Sequence, residues 1–431
     1  MAAMSFPLFP SEINLQIAEY LKADDIASLG NWRRTSKRFQ TLLTPQFFES
    51  IILRNNEESS AIVNCVVAKY GSYIKELRFI ASAPGDGGAY DGDLFPRAVE
   101  EILSNLNELP NLETLCIEID INVDYRAYFQ NRWDNPFHGD SMDEEEETCE
   151  SWRILLIKTF TSIACNTTPG FKALVIRNLL PIKLSTFESH AFQSFLGHMQ
   201  RFELYLHGIG SECGADMNLD LGFQEFVDKL DDWFFVHLTS VTDLTIHASE
   251  EGRLGGLNDP LYFTLPLLKA LRLKNVYLSR GLCESLTSSA DTLEVLELDG
   301  CLAYYGISDL SYSPVFWDKL FASLSKAKPA KLRWLRITPV DIPLANDHAD
   351  NHRWYMKDED WENVAKARKM LEDPRRRLFL YGGNRINTSC YAETDGFFNL
   401  KRFQRGDDQR AFDDLMRIVE ANTSSHREKK I

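Results

Sequence analysis

The strongest constraint on this chain is a short apolar template, L-x-x-L-x-L, that can be laid on eight places between Ile74 and Ile337. Its first positions are Ile74, Leu112, Phe171, Met199, Val241, Leu268, Leu293 and Leu332. The fourth positions are Leu77, Leu115, Leu174, Phe202, Leu244, Leu271, Leu296 and Leu335, and the sixth are Phe79, Ile117, Ile176, Leu204, Ile246, Leu273, Leu298 and Ile337. The column between the last two behaves differently: Arg78, Cys116, Val175, Glu203, Thr245, Arg272, Glu297 and Arg336. Side chains leave a strand on alternate sides, so this pattern describes strands with one buried face.

Helical patterns fall between the strands. They cover Pro96 to Leu103, Trp152 to Ile163, Phe223 to Phe235, Leu282 to Ser288 and Phe316 to Leu324. One strand and one helix per unit of 25 or more residues resembles the leucine-rich repeat. The seventh unit, L-E-V-L-E-L-D-G-C, ends on Cys301 where that template takes Asn or Cys. Most other units lack this residue and the spacings drift from 25 to 59, so the resemblance is to degenerate repeats. A generic α/β domain is the alternative, but no phosphate-binding glycine turn of the Rossmann kind is present.

The repeat resemblance implies a solenoid whose strands line a concave face. That face would show Arg78, Arg177, Glu203, Tyr205, His247, Arg272, Glu297, Trp334 and Arg336, our candidate target-binding residues. Mixed charge with scattered aromatics suits a protein or peptide ligand. For any one of these residues, a solvated strand face is the competing explanation.

Ahead of the array, Phe9 to Phe48 spells three short amphipathic helices. Pro10 suits a first turn, and Ile13, Ile17 and Leu21 recur every four residues with Tyr20 beside them. Asp24 is the expected cap of a second helix carrying Ile26 and Leu29, with Gly30 loosening its end. Thr35 or Ser36 can cap a third helix bearing Phe39, Leu42 and Leu43, which Pro45 should stop. About 40 residues is marginal for a self-sufficient core, so Leu8, Phe9, Trp32, Phe47 and Phe48 need another surface to cover them.

These residues, F-P-S-E-I, I-A-E-Y-L, D-D-I-A-S-L and R-R-T-S-K-R-F, resemble an F-box. Phe9 replaces the usual opening leucine, and Arg34-Thr35 stands where a valine-cysteine pair is common. The resemblance implies docking on a Skp-type adaptor, and through it a cullin, by Phe9, Pro10, Ile13, Ile17, Leu21, Ile26, Leu29 and Trp32. It covers about a tenth of the chain.

Composition narrows the rest. A net charge of −16 argues against nonspecific nucleic-acid binding. Eight scattered cysteines without C-x-x-C suit a reducing compartment, hence a cytoplasmic or nuclear location, and no apolar run of about 18 residues predicts a membrane span. The glycine-rich stretch 84–93 lacks the residues of a P-loop, and the acidic run 143–147 reads as a solvated insertion. His348 and His352 are the only spacing that suggests a metal, in a segment that reads as a loop. No catalytic motif is present, so neither enzyme activity nor a cofactor is expected.

The expected class is therefore α/β: a three-helix F-box over 5–50, an irregular leucine-rich-repeat-like solenoid over 51–338, a capping region over 339–423 and a disordered tail over 424–431. The expected function is a substrate-recognition subunit of an F-box-containing cullin-RING ubiquitin ligase. A repeat scaffold without a ligase role, or an enzyme with an unrecognised site, are the alternatives.

Overall fold

The computed structural model describes residues 9–83, 94–121, 147, 150–207, 221–249, 253–254, 261–304, 315–338, 358–384, 392–394 and 396–428. Thirteen helices and thirteen strands are found there. In chain order they are α1 (Ser11–Asp24), α2 (Ile26–Arg34), α3 (Lys37–Phe47), β1 (Ser50–Arg54), α4 (Glu57–Tyr70), β2 (Glu76–Ala83), α5 (Arg97–Ser104), β3 (Thr114–Ile121), α6 (Ser151–Ala164) and β4 (Ala173–Leu179). Then come α7 (His190–Leu196), β5 (Arg201–Leu206), α8 (Leu221–Trp233), β6 (Asp243–His247), β7 (Ala270–Lys274), β8 (Tyr277–Leu278), α9 (Arg280–Ser288), β9 (Val295–Asp299) and β10 (Leu302–Tyr304). The chain closes with α10 (Trp317–Ala327), β11 (Trp334–Thr338), α11 (Asp358–Leu371), β12 (Tyr381–Asn384), β13 (Ala392–Thr394), α12 (Gly396–Arg405) and α13 (Asp407–Glu428).

Nine strands form one large sheet in the order β1-β2-β3-β4-β5-β6-β7-β9-β11, which is also their order in the chain. The pairs β1–β2, β2–β3, β5–β6, β6–β7, β7–β9 and β9–β11 are parallel. A smaller sheet has the order β13-β12-β10-β8.

The template columns are the strand register. Leu77 pairs with Leu115, and Phe202, Leu244, Leu271, Leu296 and Leu335 are successive partners. The first-position residues are all buried, and the fourth- and sixth-position residues are buried everywhere except Leu335 and Ile337, which are half-buried.

A hydrogen-bond motif recurs with the register. The second and third template residues both donate their N–H to the second residue's carbonyl one strand back. Lys75 and Glu76 do so to Glu49, Glu113 and Thr114 to Lys75, and Lys172 and Ala173 to Glu113. Thr242 and Asp243 bind Gln200 in this way, Lys269 and Ala270 bind Thr242, Glu294 and Val295 bind Lys269, and Arg333 and Trp334 bind Glu294. The eighth residue also repeats: Asn178, Asn275 and Gly300 have φ of 55°, 56° and 58°. Asn and Gly tolerate this left-handed conformation best, and it turns the chain off the strand end.

The motif exposes a unit absent from the eight laid on the sequence. Phe48-Glu49-Ser50-Ile51-Ile52-Leu53-Arg54-Asn55 fits the template, and β1 pairs Ile51 with Leu77 and Leu53 with Phe79. Asn55, in the eighth position, ties β1 to its neighbour: its Nδ2 donates to the Ser82 and Leu94 carbonyls, and its Oδ1 accepts from the Ser82 N–H.

The chain divides into two compact units, Met1–Asn122 with Thr148–Val175, and Val123–Glu147 with Ile176–Ile431. The first unit holds α1–α3 together with β1–β3. Phe48 stacks on Tyr70 of α4 at 4.0 Å, and the Arg33 guanidinium lies over Phe47 and Phe48 at 4.9 and 5.0 Å. Lys22 and Lys75 both pair with Glu49.

Within α1–α3 the core is Ala18, Leu29, Phe39 and Leu43, with Leu21, Trp32, Leu42 and Phe47 packed around it. Local details differ from the expected ones. Asp25, not Asp24, caps α2 by accepting from the Ser28 N–H, and Ser36 caps α3 through the Phe39 N–H. Pro45 does not stop α3, which runs on to Phe47. The proline forfeits one N–H, but the Phe48 N–H still reaches the Thr44 carbonyl.

Gly30 does not loosen the end of α2 but sits buried within it. A β-carbon there would stand 2.9 Å from Phe47 Cε2. The glycine is therefore the gap into which Phe47 packs. Gly30→Val is expected to lower stability by about 1–3 kcal/mol through overpacking, measurable by chemical denaturation.

In the second unit α13 packs along α10, and Phe321 lies 5.2 Å from Phe379 and 5.4 Å from Phe412. Asn422 Nδ2 donates to the Pro329 and Leu332 carbonyls and Thr423 Oγ1 to that of Arg333. These contacts hold α13 beside the approach to β11. The helix continues to Glu428, through part of the stretch expected to be a disordered tail, because the bonds of Asn422 and Thr423 anchor its last turns.

Candidate docking surfaces

Two surfaces carry the candidate residues, and each lies within one compact unit. The first is on α1 and α2. The inward stripe of α1 is the buried Asn14 and Ala18 with the half-buried Leu21, at spacings of four and three, where Ile13, Ile17 and Leu21 were expected to share a face. Asn14 is held inside by its Nδ2, which donates to the Phe9 and Pro10 carbonyls at 3.0 and 3.1 Å. This rotation turns Ile13 and Tyr20 outward, 40% and 75% exposed, with Ile17 half-buried between them. Ile26 on α2 is 48% exposed, and Pro10 is exposed too.

The eight candidate docking residues are thus unequal. Pro10, Ile13 and Ile26 face solvent, while Phe9, Ile17, Leu21 and Trp32 are half-buried. Leu29 is fully buried in the helical core and presents nothing to a partner. Trp32 is committed to Phe39, with ring centroids 5.0 Å apart. Phe47 and Phe48, which the sequence left in need of a cover, find it within the same unit. Tyr20, the most exposed of these apolar side chains, was noted only as a neighbour of the stripe.

The second surface is the face of β4–β7, β9 and β11 opposite the apolar columns, taken from Arg177 onward. In register, Glu203, Thr245, Arg272, Glu297 and Arg336 run across five strands. The side chains join into two clusters, one around Glu203 and Tyr205 and one around Glu297. Arg201 pairs with Glu203 at 3.2 Å, and Tyr205 donates its hydroxyl to Glu203 at 2.8 Å. The Arg177 guanidinium lies 5.1 Å from the Tyr205 ring, whose edge meets His247 at 4.5 Å. Arg272 reaches Asp243 and Glu297, each at 3.5 Å, while Glu297 also takes Arg336 and the Trp334 indole N–H.

Burial and the neighbouring Glu203 push the Tyr205 hydroxyl up to about 12. His247 is pushed below its ordinary value, by burial first and then by Lys274. At neutral pH both rings are therefore uncharged parts of this surface.

Eight of the nine target-face candidates belong to these clusters, Arg177, Glu203, Tyr205 and His247 to the first and Arg272, Glu297, Trp334 and Arg336 to the second. Arg78 lies in the first unit and pairs there with Glu118. The column is not polar throughout: Cys116, Val175 and Thr245 are buried although they sit between the apolar positions. In the seventh unit Cys301 is buried, its Sγ 3.6 Å from the Leu273 and Asp299 carbonyls, and burial pushes its thiol up to about 12. It closes a turn and is not a reactive thiol.

Among the described residues no group of acidic, His or Cys side chains could hold a metal, and no helix is long and apolar enough to cross a membrane. The glycine-rich stretch 84–93 and the pair His348 and His352 lie outside the described residues. Of the acidic run only Glu147 is described, and it accepts the Ser185 N–H at 2.6 Å. No protein-family model matches the chain, and no curated protein matches it.

Proposed function

We propose that this chain is the substrate-recognition subunit of an F-box-containing cullin-RING ubiquitin ligase. Its α1–α3 face docks a Skp-type adaptor and its strand face holds a protein target. The observation that carries the first half is the outward stripe of Ile13, Ile17 and Tyr20 with Ile26 nearby, on a helical unit whose core is already closed. A small unit that keeps large apolar side chains in water offers them to a partner.

For the second half, strand order follows chain order, and the same hydrogen-bond pair and left-handed turn recur from unit to unit. Both features support a leucine-rich-repeat-like solenoid, whose strand face is its recognition surface. No covalent chemistry falls to this chain. It holds a target close to the conjugating enzyme and so raises the effective concentration there.

Affinity purification from cells tests the adaptor half. Wild type is expected to bring down a Skp-type adaptor and a cullin. Ile13→Asp with Ile26→Asp, both at exposed positions, is expected to abolish this while leaving the melting temperature unchanged. Wild type arriving without an adaptor sinks the ligase reading.

A second reading has its own observation. The end of α3 packs on α4 through Phe48 and Tyr70, as it would if the helices merely capped the sheet of their own unit. On that reading the exposed-face double variant changes no partner, and deleting α1–α3 unfolds the first unit.

A further inference from the structure

We propose that the strand face of the second unit takes an acidic, extended protein segment. This names the target chemistry of the recognition surface proposed above and rests on that reading.

The argument begins with the layering of charge. In three of the five ion pairs on this face the cation is clearly the more exposed member, and in Arg272–Asp243 and Lys274–Asp299 the two partners are nearly equally exposed. Arg201 is 47% exposed against 18% for Glu203, and Arg336 is 55% exposed against 19% for Glu297. The longer arginine stem contributes to this difference, and the consequence is the same: above Glu203 and Glu297 the outermost layer is guanidinium. A chain with a net charge of −16 thus presents arginines above the two most buried carboxylates of this face.

Valence points the same way. A guanidinium carries five N–H donors in a fork that matches a carboxylate. Glu297 is shared by Arg272, Arg336 and the Trp334 indole, and Arg272 also reaches Asp243, so two forks divide two carboxylates of which one is also taken by the indole. An incoming carboxylate can take up the remaining donors without displacing the glutamate.

The aromatic groups add footing. The indole hydrogen bond to Glu297 positions Trp334, which is 53% exposed, and Tyr205 is held between Arg177 and His247. Such rings and arginines are the side chains that dominate protein interfaces. The row from Glu203 to Arg336 crosses five strands. At about 4.8 Å per strand this is roughly 19 Å, the reach of about six extended residues.

The acids of this face also select against a polyphosphate. Asp243, Glu203, Glu297 and Asp299 are interleaved with the cations, so an unbroken line of phosphates would meet them. Side-chain carboxylates spaced along a peptide can seat on the cations and avoid the acids.

The test uses the full chain and a fluorescent alternating Glu-Gly peptide, with a matched Lys-Gly peptide and a single-stranded RNA as competing probes. The Glu-Gly peptide is expected to bind, more tightly at low salt, and binding is expected to fall about ten-fold or more in Arg272→Glu with Arg336→Glu. Arg336→Lys keeps the charge and loses the fork, and is expected to lie between. It also decides the question if the double variant melts early. No binding of the Glu-Gly peptide overturns the proposal. So does equal or tighter binding of either competitor, or full binding by a folded double variant. Adaptor co-purification is independent of this assay: if it persists while the peptide fails, only the target chemistry is wrong.

Discussion

Asp408→Ala is expected to destabilise the second unit by about 3–5 kcal/mol, because it strands a buried cation. Asp408, Arg402 and Tyr381 are all buried. The Asp408 carboxylate accepts from the Tyr381 hydroxyl at 2.8 Å and from the Asp318 N–H at 3.1 Å, and it pairs with Arg402. Arg402 also reaches Asp318 at 2.7 Å and lies over the Phe316 ring at 4.8 Å. Burial opposes the guanidinium charge, but Asp408 and Tyr381 outweigh it and raise the Arg402 pKa. The network joins α12 and α13 to the start of α10.

Removing the carboxylate leaves Arg402 with the Tyr381 hydroxyl and with Asp318, a carboxylate at the edge of the site. Urea unfolding followed by tryptophan fluorescence measures the loss. Asp408→Asn, which keeps the acceptor and drops the charge, should lose less. A loss below about 1 kcal/mol for the alanine variant would show that the cluster is solvated and not buried. Replacing Arg402 and Asp408 together by Met and Leu should cost less than Asp408→Ala, since the charge that then loses its partner, Asp318, is partly exposed to solvent.

The second large effect contrasts neighbours in one strand. Leu271→Ala is expected to cost about 2–5 kcal/mol, since its side chain is fully buried between Leu244 and Leu296 in register. Arg272→Ala, one residue on, is expected to cost no more than about 1 kcal/mol. Arg272 is half-buried with its side chain 39% exposed, and Glu297 keeps Arg336 and Trp334 when it is gone. Matched unfolding curves of the two variants measure the difference between the two faces of β7. Equal losses would mean that the strand face is itself buried, and would count against any docking there.

Much of the array was legible because a parallel strand repeats its demands. Every apolar position must meet the equivalent position of the next strand, so the leucine columns were also the register. The unit at Phe48–Asn55 is written in the same template, but Phe48 reads equally well as the end of the third helical pattern. The turn residues Asn178, Asn275 and Gly300 were equally visible at one template position. Their signal is conformational, and a search for apolar columns passes over it.

The helical unit was legible in number and approximate extent, but not in its facing. A spacing of four makes Ile13, Ile17 and Leu21 one stripe, yet Asn14 and Ala18 turn inward instead. Periodicity fixes which residues share a side of a helix; it does not say which side is buried. Here the choice depends on the Asn14 hydrogen bonds and on the small Ala18 and Gly30 letting other chains approach.

By itself, then, the sequence determined an α/β chain, the columns of its main sheet and the three helices ahead of it. Each of these follows from local periodicity and short-range sterics. Only the tertiary structure decided that Leu29 is core while Tyr20 is surface, and that Phe48 belongs to the sheet's own unit. Only it assembled Arg177, Glu203, Tyr205 and His247 into one cluster and Arg272, Glu297, Trp334 and Arg336 into a second on the same face. Those outcomes depend on contacts between residues far apart in the chain, and a local pattern carries no information about which distant partner will cover it.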